Sequence, residues 1–167
     1  MREAVVNQDN QLPQHAQTTT SDNQPHVDFA AHGRTGTIPT PPIGELLGFV
    51  PGAIGNGESL VTLEASARHA NPMGTLHGGV LCDIADAAMG MAYASTLGPG
   101  ESFTTLELKI NFLKPVWNAQ LRAVGRVVRR GRTVGLVECN VFDEREQLVA
   151  HATSTCMTLR DEMAKGR

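Results

Sequence analysis

The 167-residue chain has no apolar run approaching the ~20 residues of a membrane-spanning helix, so no membrane span is expected. Cysteine is scarce. Cys82, Cys139 and Cys156 are odd in number, form no C-x-x-C pair and lie in apolar or strand-like stretches, which disfavours a disulfide framework and a zinc knuckle. They read as small core residues of a reduced, cytoplasmic protein. An excess of positive charge is also missing. Fourteen Lys and Arg against seventeen Asp and Glu leave a formal net charge of -3, which argues against a nucleic-acid partner held by bulk charge. The opening MREAVVNQDNQLPQ carries no apolar segment with a cleavage site after it, so no secretory signal is expected. P-loop, G-x-G-x-x-G and G-x-S-x-G motifs are absent as well.

What is present is globular: 41% hydrophobic and 19% charged residues, enough for one core in one domain. Composition shifts near residue 42. Residues 1–42 are rich in Gln, Asn, Thr, His and Pro and hold no 2.0 or 3.6 period, so they are expected to form a flexible polar tail. Residues 43–160 form the expected domain, and 161–167 a short polar C-terminal tail.

Within the domain, Pro-Ile-Gly-Glu-Leu-Leu in residues 41–49 suggests a short helix, and Gly52, Gly55 and Gly57 a turn. Residues 59–68 read as a strand and 69–79 as a loop. Residues 80–97 read as a helix, apolar nearly all round and therefore buried, ended by Gly98-Pro99-Gly100. Strands follow over 103–113, 119–130, 133–142 and 147–159. In the second of these, Leu121, Ala123, Gly125 and Val127 share one face, and Arg122, Arg126 and Arg130 the other. Short turns imply antiparallel pairing. The expected fold is α+β, one antiparallel sheet wrapped around one long helix.

Two aspartates break the pattern of that helix. Asp83 and Asp86 are its only charges, and an aspartate among Ile84, Ala85, Ala87 and Ala88 needs compensation. Asp83 is accounted for by the helix dipole in the first turns. Asp86 lies deeper, and structural and catalytic readings are evenly matched there. His77-Gly78-Gly79 precedes the helix, where unpartnered N–H groups attract developing negative charge and glycine admits a ligand to the backbone. That is chemistry for polarising a carbonyl oxygen. His69 and His77 with the aspartates show no metal-ligand spacing. Cys82 is read as a buried, inert thiol. Arg129, Arg130 and Arg132 cluster at one turn, either solvated or holding phosphate.

The stretch NPMGTLHGGVLCDIADAAMG, with the later TTLELKINFLKPV over residues 104–116, resembles the hotdog-fold acyl-CoA thioesterases of the phenylacetate-degradation type. The resemblance covers about residues 43–160 and implies an antiparallel sheet wrapped around one helix. It implies that Gly78 offers its N–H to the thioester carbonyl and that Asp86 is nucleophile or general base. His77 then orients the site, Asn71 helps place water or substrate, and Thr105 holds the water, with Thr104 as its fallback. Gly79 and Met89 would touch substrate, with Met91 in the acyl pocket and Tyr93 near its end. Arg122, Arg126, Arg129, Arg130 and Arg132 are candidates for the coenzyme A phosphates. Asp83 matches no catalytic position.

The resemblance further implies a homodimer, commonly paired again into a tetramer, in which each site takes Gly78 from one chain and Asp86 from the other. No metal or other cofactor is implied, since coenzyme A is part of the substrate. The competing function is a non-catalytic acyl-CoA sensor on the same fold. The N-terminal segment shows neither a basic face nor a helix-turn-helix pattern that such a regulator would add.

Overall fold

The computed structural model describes residues 38–165. The elements run α1 (Pro42–Leu47), β1 (Phe49–Gly55), β2 (Glu58–Ala65), a 3-10 turn (Ala67–His69), α2 (Gly78–Ala94), β3 (Ser102–Phe112), β4 (Ala119–Arg130), β5 (Val134–Phe142), β6 (Leu148–Leu159) and a final 3-10 turn (Asp161–Ala164). The six strands form one antiparallel sheet in the order β1-β2-β4-β5-β6-β3. Helix α2 packs along this sheet, chiefly on β2, β4 and β5. The expected α+β architecture is observed, a sheet wrapped on one long helix.

One strand was absent from the sequence reading. Gly52 and Gly55 sit inside β1, and only Asn56-Gly57 make the turn to β2. Asn56 and Gly57 both adopt positive φ, 53° and 78°. The irregular register of β1 between Pro51 and Ile54 explains why no two-residue alternation marks it. Residues 1–37 of the polar segment lie outside the described residues. Its last residues are described, and Ile38 packs against the hydrophobic core.

Helix α2 starts at Gly78, two residues before the expected start, with His77 as its N-cap. Its buried side includes Ile84, Ala85, Ala88, Met89 and Ala92, all with no exposed surface. It is not buried all round: Asp83 and Asp86 are exposed and Ala87 and Gly90 half-buried. The small residues set how closely the helix meets the sheet. A Cβ on Gly125 of β4 would stand 2.5 Å from the Ala88 carbonyl oxygen. In that gap Ser59 Oγ of β2 donates to the same oxygen at 2.5 Å. Helix and sheet therefore touch through backbone, which fixes the position of the residues on the opposite, open side of α2.

Two β-bulges change which way side chains point. In β3, Thr105 pairs with Cys156 and Glu107 with Thr155, leaving Leu106 as an extra residue. In β4, Val127 pairs with Val137 and Arg129 with Leu136, leaving Val128 extra. Each added residue inverts the facing of everything beyond it, because side chains alternate with a period of two.

Candidate active site

The start of α2 provides the first half of the site. His77 Nδ1 accepts the Gly79 N–H at 2.9 Å, and the Val80 N–H bonds the His77 carbonyl at 3.0 Å. Among the described residues nothing accepts the Gly78 N–H. A donor without a partner at a helix N-terminus is a place for an oxygen carrying negative charge. His77 is thus the residue that shapes this helix start, and Gly79, expected to touch substrate, spends its N–H on that cap.

The Phe112 ring lies against Gly78, where a Cβ would come within 2.9 Å of the ring tip. Phe112 read from the sequence only as an apolar strand position; the close approach to a glycine is a tertiary fact. The groove beside Gly78 is also lined by Asn71, Thr75, Leu81, Lys114 and Val116. The Asn71 side chain is turned onto its own loop. Its Oδ1 accepts from the N–H groups of Met73 and Thr75 at 2.9 and 3.3 Å, and its Nδ2 donates to Thr75 Oγ1 at 2.9 Å. These bonds hold the Asn71–Thr75 loop in a compact turn next to the helix start.

The second half lies further along α2. Asp86 is on the open side of the helix, and Thr105 Oγ1 donates to its Oδ1 at 3.4 Å. The β3 bulge is what brings Thr105 there. In simple alternation Thr105 would face away from Leu108 and Ile110. With Leu106 extra, Thr105, Leu108 and Ile110 pair with the buried Cys156, Ser154 and Ala152 and face the helix together. Thr104, the fallback, pairs with Met157 on the opposite face and does not reach Asp86.

Removal from water pushes the Asp86 carboxyl above its ordinary range, and the neighbouring Asp83 charge adds to this, while the Thr105 hydroxyl opposes it. Burial also raises the Asp83 carboxyl. Because the helix begins at Gly78, its first turn contains no acidic residue. Asp83 is the sixth residue, and the dipole account of it is corrected accordingly, since that effect fades beyond the first turn.

Asp86 and Asp83 border a cavity of about 270 Å³ whose other walls include Ile43, Phe49, Met91 and Phe103. Met91 lines it. Met89 does not: it has no exposed surface and belongs to the core. Tyr93 is likewise fully buried, its hydroxyl paired with Thr158 Oγ1 at 2.8 Å. Helical geometry explains the difference. Positions 83, 86, 87 and 90 share one face, and Met89 lies about 110° round the helix from its centre, on a flank covered by the sheet.

The arginines separate into three kinds. Arg122 and Arg126 are on the outer face, in ion pairs with Glu146 and Glu138 at 2.5 and 2.6 Å. Arg130 does not share their face, because the Val128 bulge turns it inward. There it pairs with Glu101 at 2.8 Å, donates to Tyr93 Oη at 3.0 Å and stacks 4.9 Å from the Tyr93 ring centroid. It is a structural tie rather than a surface cation. Arg129 and Arg132 are exposed and have no ion pair among the described residues.

His69 is buried, with Nδ1 accepting the Ser66 N–H at 3.1 Å and Nε2 2.7 Å from the Leu47 carbonyl oxygen. No group of three or more His, Cys, Asp or Glu suited to a metal ion occurs among the described residues, and no helix there is long and apolar enough to cross a membrane.

Gly78 and Asp86 are eight residues apart on one helix, about 12 Å along its axis at 1.5 Å per residue. They open onto different cavities of the chain. A single thioester carbonyl cannot bridge that distance.

Comparison with known proteins gives the lineage. The thioesterase superfamily profile matches residues 73–150, which span α2, β3, β4 and β5 and the start of β6. A phenylacetic acid degradation-related protein of Ralstonia eutropha JMP134 is 34% identical, with a TM-score of 0.68 over 78% of this chain and 99% of its own. A conserved protein of Pseudomonas aeruginosa is 35% identical, with a TM-score of 0.68 over 75% of this chain and 98% of its own. A 1,4-dihydroxy-2-naphthoyl-CoA hydrolase of Listeria monocytogenes is 27% identical over 66% of this chain and 90% of its own length. The profile match, the near-complete coverage of solved relatives and the hotdog arrangement of sheet and helix agree: the chain belongs to the thioesterase superfamily.

Proposed function

We propose that this thioester hydrolase cleaves acyl- or aryl-coenzyme A to the free acid and coenzyme A. Gly78 of one protomer and Asp86 of its partner act on the same carbonyl. The observation that carries the reading is the pairing of an unspent Gly78 N–H with an Asp86 carboxylate ~12 Å away on the same helix. Two antiparallel copies of α2 would set the Gly78 end of each beside the Asp86 of the other. Strand β3 supports such pairing. Among the described residues it is an unpaired sheet edge of 11 residues, with Leu106 and Phe112 more than half exposed, and such an edge is a template for another chain.

The chemistry follows from the two halves. The carbonyl oxygen accepts the Gly78 N–H, which binds more strongly as charge grows on that oxygen. Asp86 either takes a proton from water as the water oxygen attacks the carbonyl carbon, or attacks that carbon itself to give a mixed anhydride that water then opens. In both routes the C–S bond breaks, and the thiolate leaves and is protonated by solvent. Thr105 holds the carboxylate and the attacking water, and Asn71 and His77 act by fixing the loop and helix start. No step runs through a metal or a further cofactor. Arg129 and Arg132, the exposed and unpaired arginines, are the proposed contacts for the coenzyme A phosphates. The name of the Listeria relative, a 1,4-dihydroxy-2-naphthoyl-CoA hydrolase, supports including aryl thioesters in that substrate class.

The test is complementation. Gly78→Pro removes the donor at the first helical position, where the backbone accepts proline and His77 already has the extended ψ of 131° that it requires; the exposed Phe112 ring must swing aside for the new Cβ, so Gly78→Ala, which adds the same Cβ and keeps the N–H, is the control. The proline variant should lower kcat by ~10²–10³. Asp86→Ala should lose activity by a comparable or larger factor. Mixing the two inactive proteins and allowing exchange should restore activity, because half of the sites in a mixed dimer are intact. No recovery in a demonstrably mixed oligomer would refute the shared site.

A further inference from the structure

The proposed reaction uses Asp86 and leaves Asp83 without work. Asp83 makes no hydrogen bond or ion pair with any described residue, and it stands beyond the reach of the helix dipole. It nevertheless borders the same cavity as Asp86. Apart from Asp83, Asp86 and Thr105, the side chains around that cavity are apolar, among them Ile38, Ile43, Phe49, Met91 and Phe103. No Lys, Arg or His is among the described residues that line it. Asp83 keeps contact with water, and its charge at the edge of an apolar cavity repels any second anion brought into it.

We infer that Asp83 is a specificity-determining residue that restricts the acyl pocket to uncharged acyl groups and turns away those ending in a carboxylate. The inference rests on the proposed function and extends it to the chemical class of the acyl group. An acyl chain entering between Ile43, Met91 and Phe103 buries apolar surface. A distal carboxylate on that chain would enter with two aspartates nearby and no counter-charge. Like charges brought together in this way are a device for rejecting a competitor.

The experiment compares hexanoyl-CoA, 6-hydroxyhexanoyl-CoA and adipoyl-CoA, three thioesters of equal chain length ending in methyl, hydroxyl and carboxylate. In the wild-type protein, kcat/KM for adipoyl-CoA should fall at least about tenfold below that for hexanoyl-CoA. Asp83→Asn and Asp83→Ser should shrink the adipoyl penalty by about tenfold while leaving the hydroxyhexanoyl-to-hexanoyl ratio in place. Added salt should shrink the adipoyl penalty more in the wild type than in the variants, where Asp86 alone still repels the carboxylate. A wild-type protein that hydrolyses adipoyl- and hexanoyl-CoA equally well would overturn the inference and leave the proposed function standing. So would a penalty that survives both substitutions, since mere desolvation of the carboxylate would then explain it. If the wild type hydrolyses none of the three, the proposed function fails and this inference with it.

Discussion

Thr105 Oγ1 on β3 donates to Asp86 Oδ1 on α2 across 3.4 Å, a long bond made possible by one extra residue in the strand. The bond favours the ionised carboxylate, whereas burial and the Asp83 charge favour the protonated one. In the proposed reaction Asp86 must be ionised to act as base or nucleophile, so activity should fall as pH drops through its pKa. Thr105→Val removes the hydrogen bond that favours the ionised Asp86 and should move the acid limb of kcat/KM to higher pH. Asp83→Asn removes a raising cause and should move it to lower pH. A pH–rate profile of the two variants checks the opposite signs; shifts in the same direction would contradict this account of Asp86.

The same carboxyl affects stability. Its pKa is raised in the folded chain, so the folded state binds the proton more tightly than the unfolded state does. Stability from this group is full below the ordinary carboxylate pKa and is lost as pH rises through the raised value. Asp86→Asn should therefore increase the thermal midpoint at pH 7, with the gain disappearing below about pH 4. Thermal melts across that range measure it. A stabilising substitution that abolishes activity is the expected behaviour of a functional carboxylate.

Gly125→Ala tests the contact that seats the helix. The added Cβ would stand 2.5 Å from the Ala88 carbonyl oxygen and 3.0 Å from the Met89 nitrogen, both backbone atoms that cannot swing aside. The helix must lift from β4, at a cost of about 1–3 kcal/mol. Chemical denaturation should show a lower midpoint with an unchanged slope. Activity should fall too, since Asp86 rides on the same helix.

The arginines should divide by role. Arg130→Met breaks the ties to Glu101, Tyr93 and Thr158, and should lower stability by about 1–3 kcal/mol with little change in KM for acyl-coenzyme A. Arg129→Ala and Arg132→Ala should leave stability nearly unchanged and raise that KM. Steady-state kinetics beside thermal melts separate the two effects; a KM unmoved by both surface substitutions would remove them from the phosphate site.

Much of the fold was legible because it is written in local pattern. The long helix showed as a run of Ala, Leu and Met between glycines, and the strands of the second half as alternation with short turns. The resemblance rested on the same segments. Strand β1 was not legible. Its register slips between Pro51 and Ile54, and its glycines imitate a turn until β2 pairs beside them. The burial of the helix was overestimated because alanine and glycine permit exposure as readily as contact; Gly125 and Ser59 decide which side is covered.

The sequence by itself determined which chemical groups exist and their spacing along one helix: a glycine N–H at the start, and carboxylates at Asp83 and Asp86 beyond it. Only the tertiary structure decided where neighbouring groups point. A bulge is one residue without a partner, and its position depends on the strand across from it rather than on its own identity. At Leu106 it turns Thr105 toward Asp86, and at Val128 it turns Arg130 away from Arg122 and Arg126 and into the Glu101–Tyr93–Thr158 cluster. Period-two reasoning runs through both places without a signal, because pairing across strands is settled by the whole sheet and not by either strand alone.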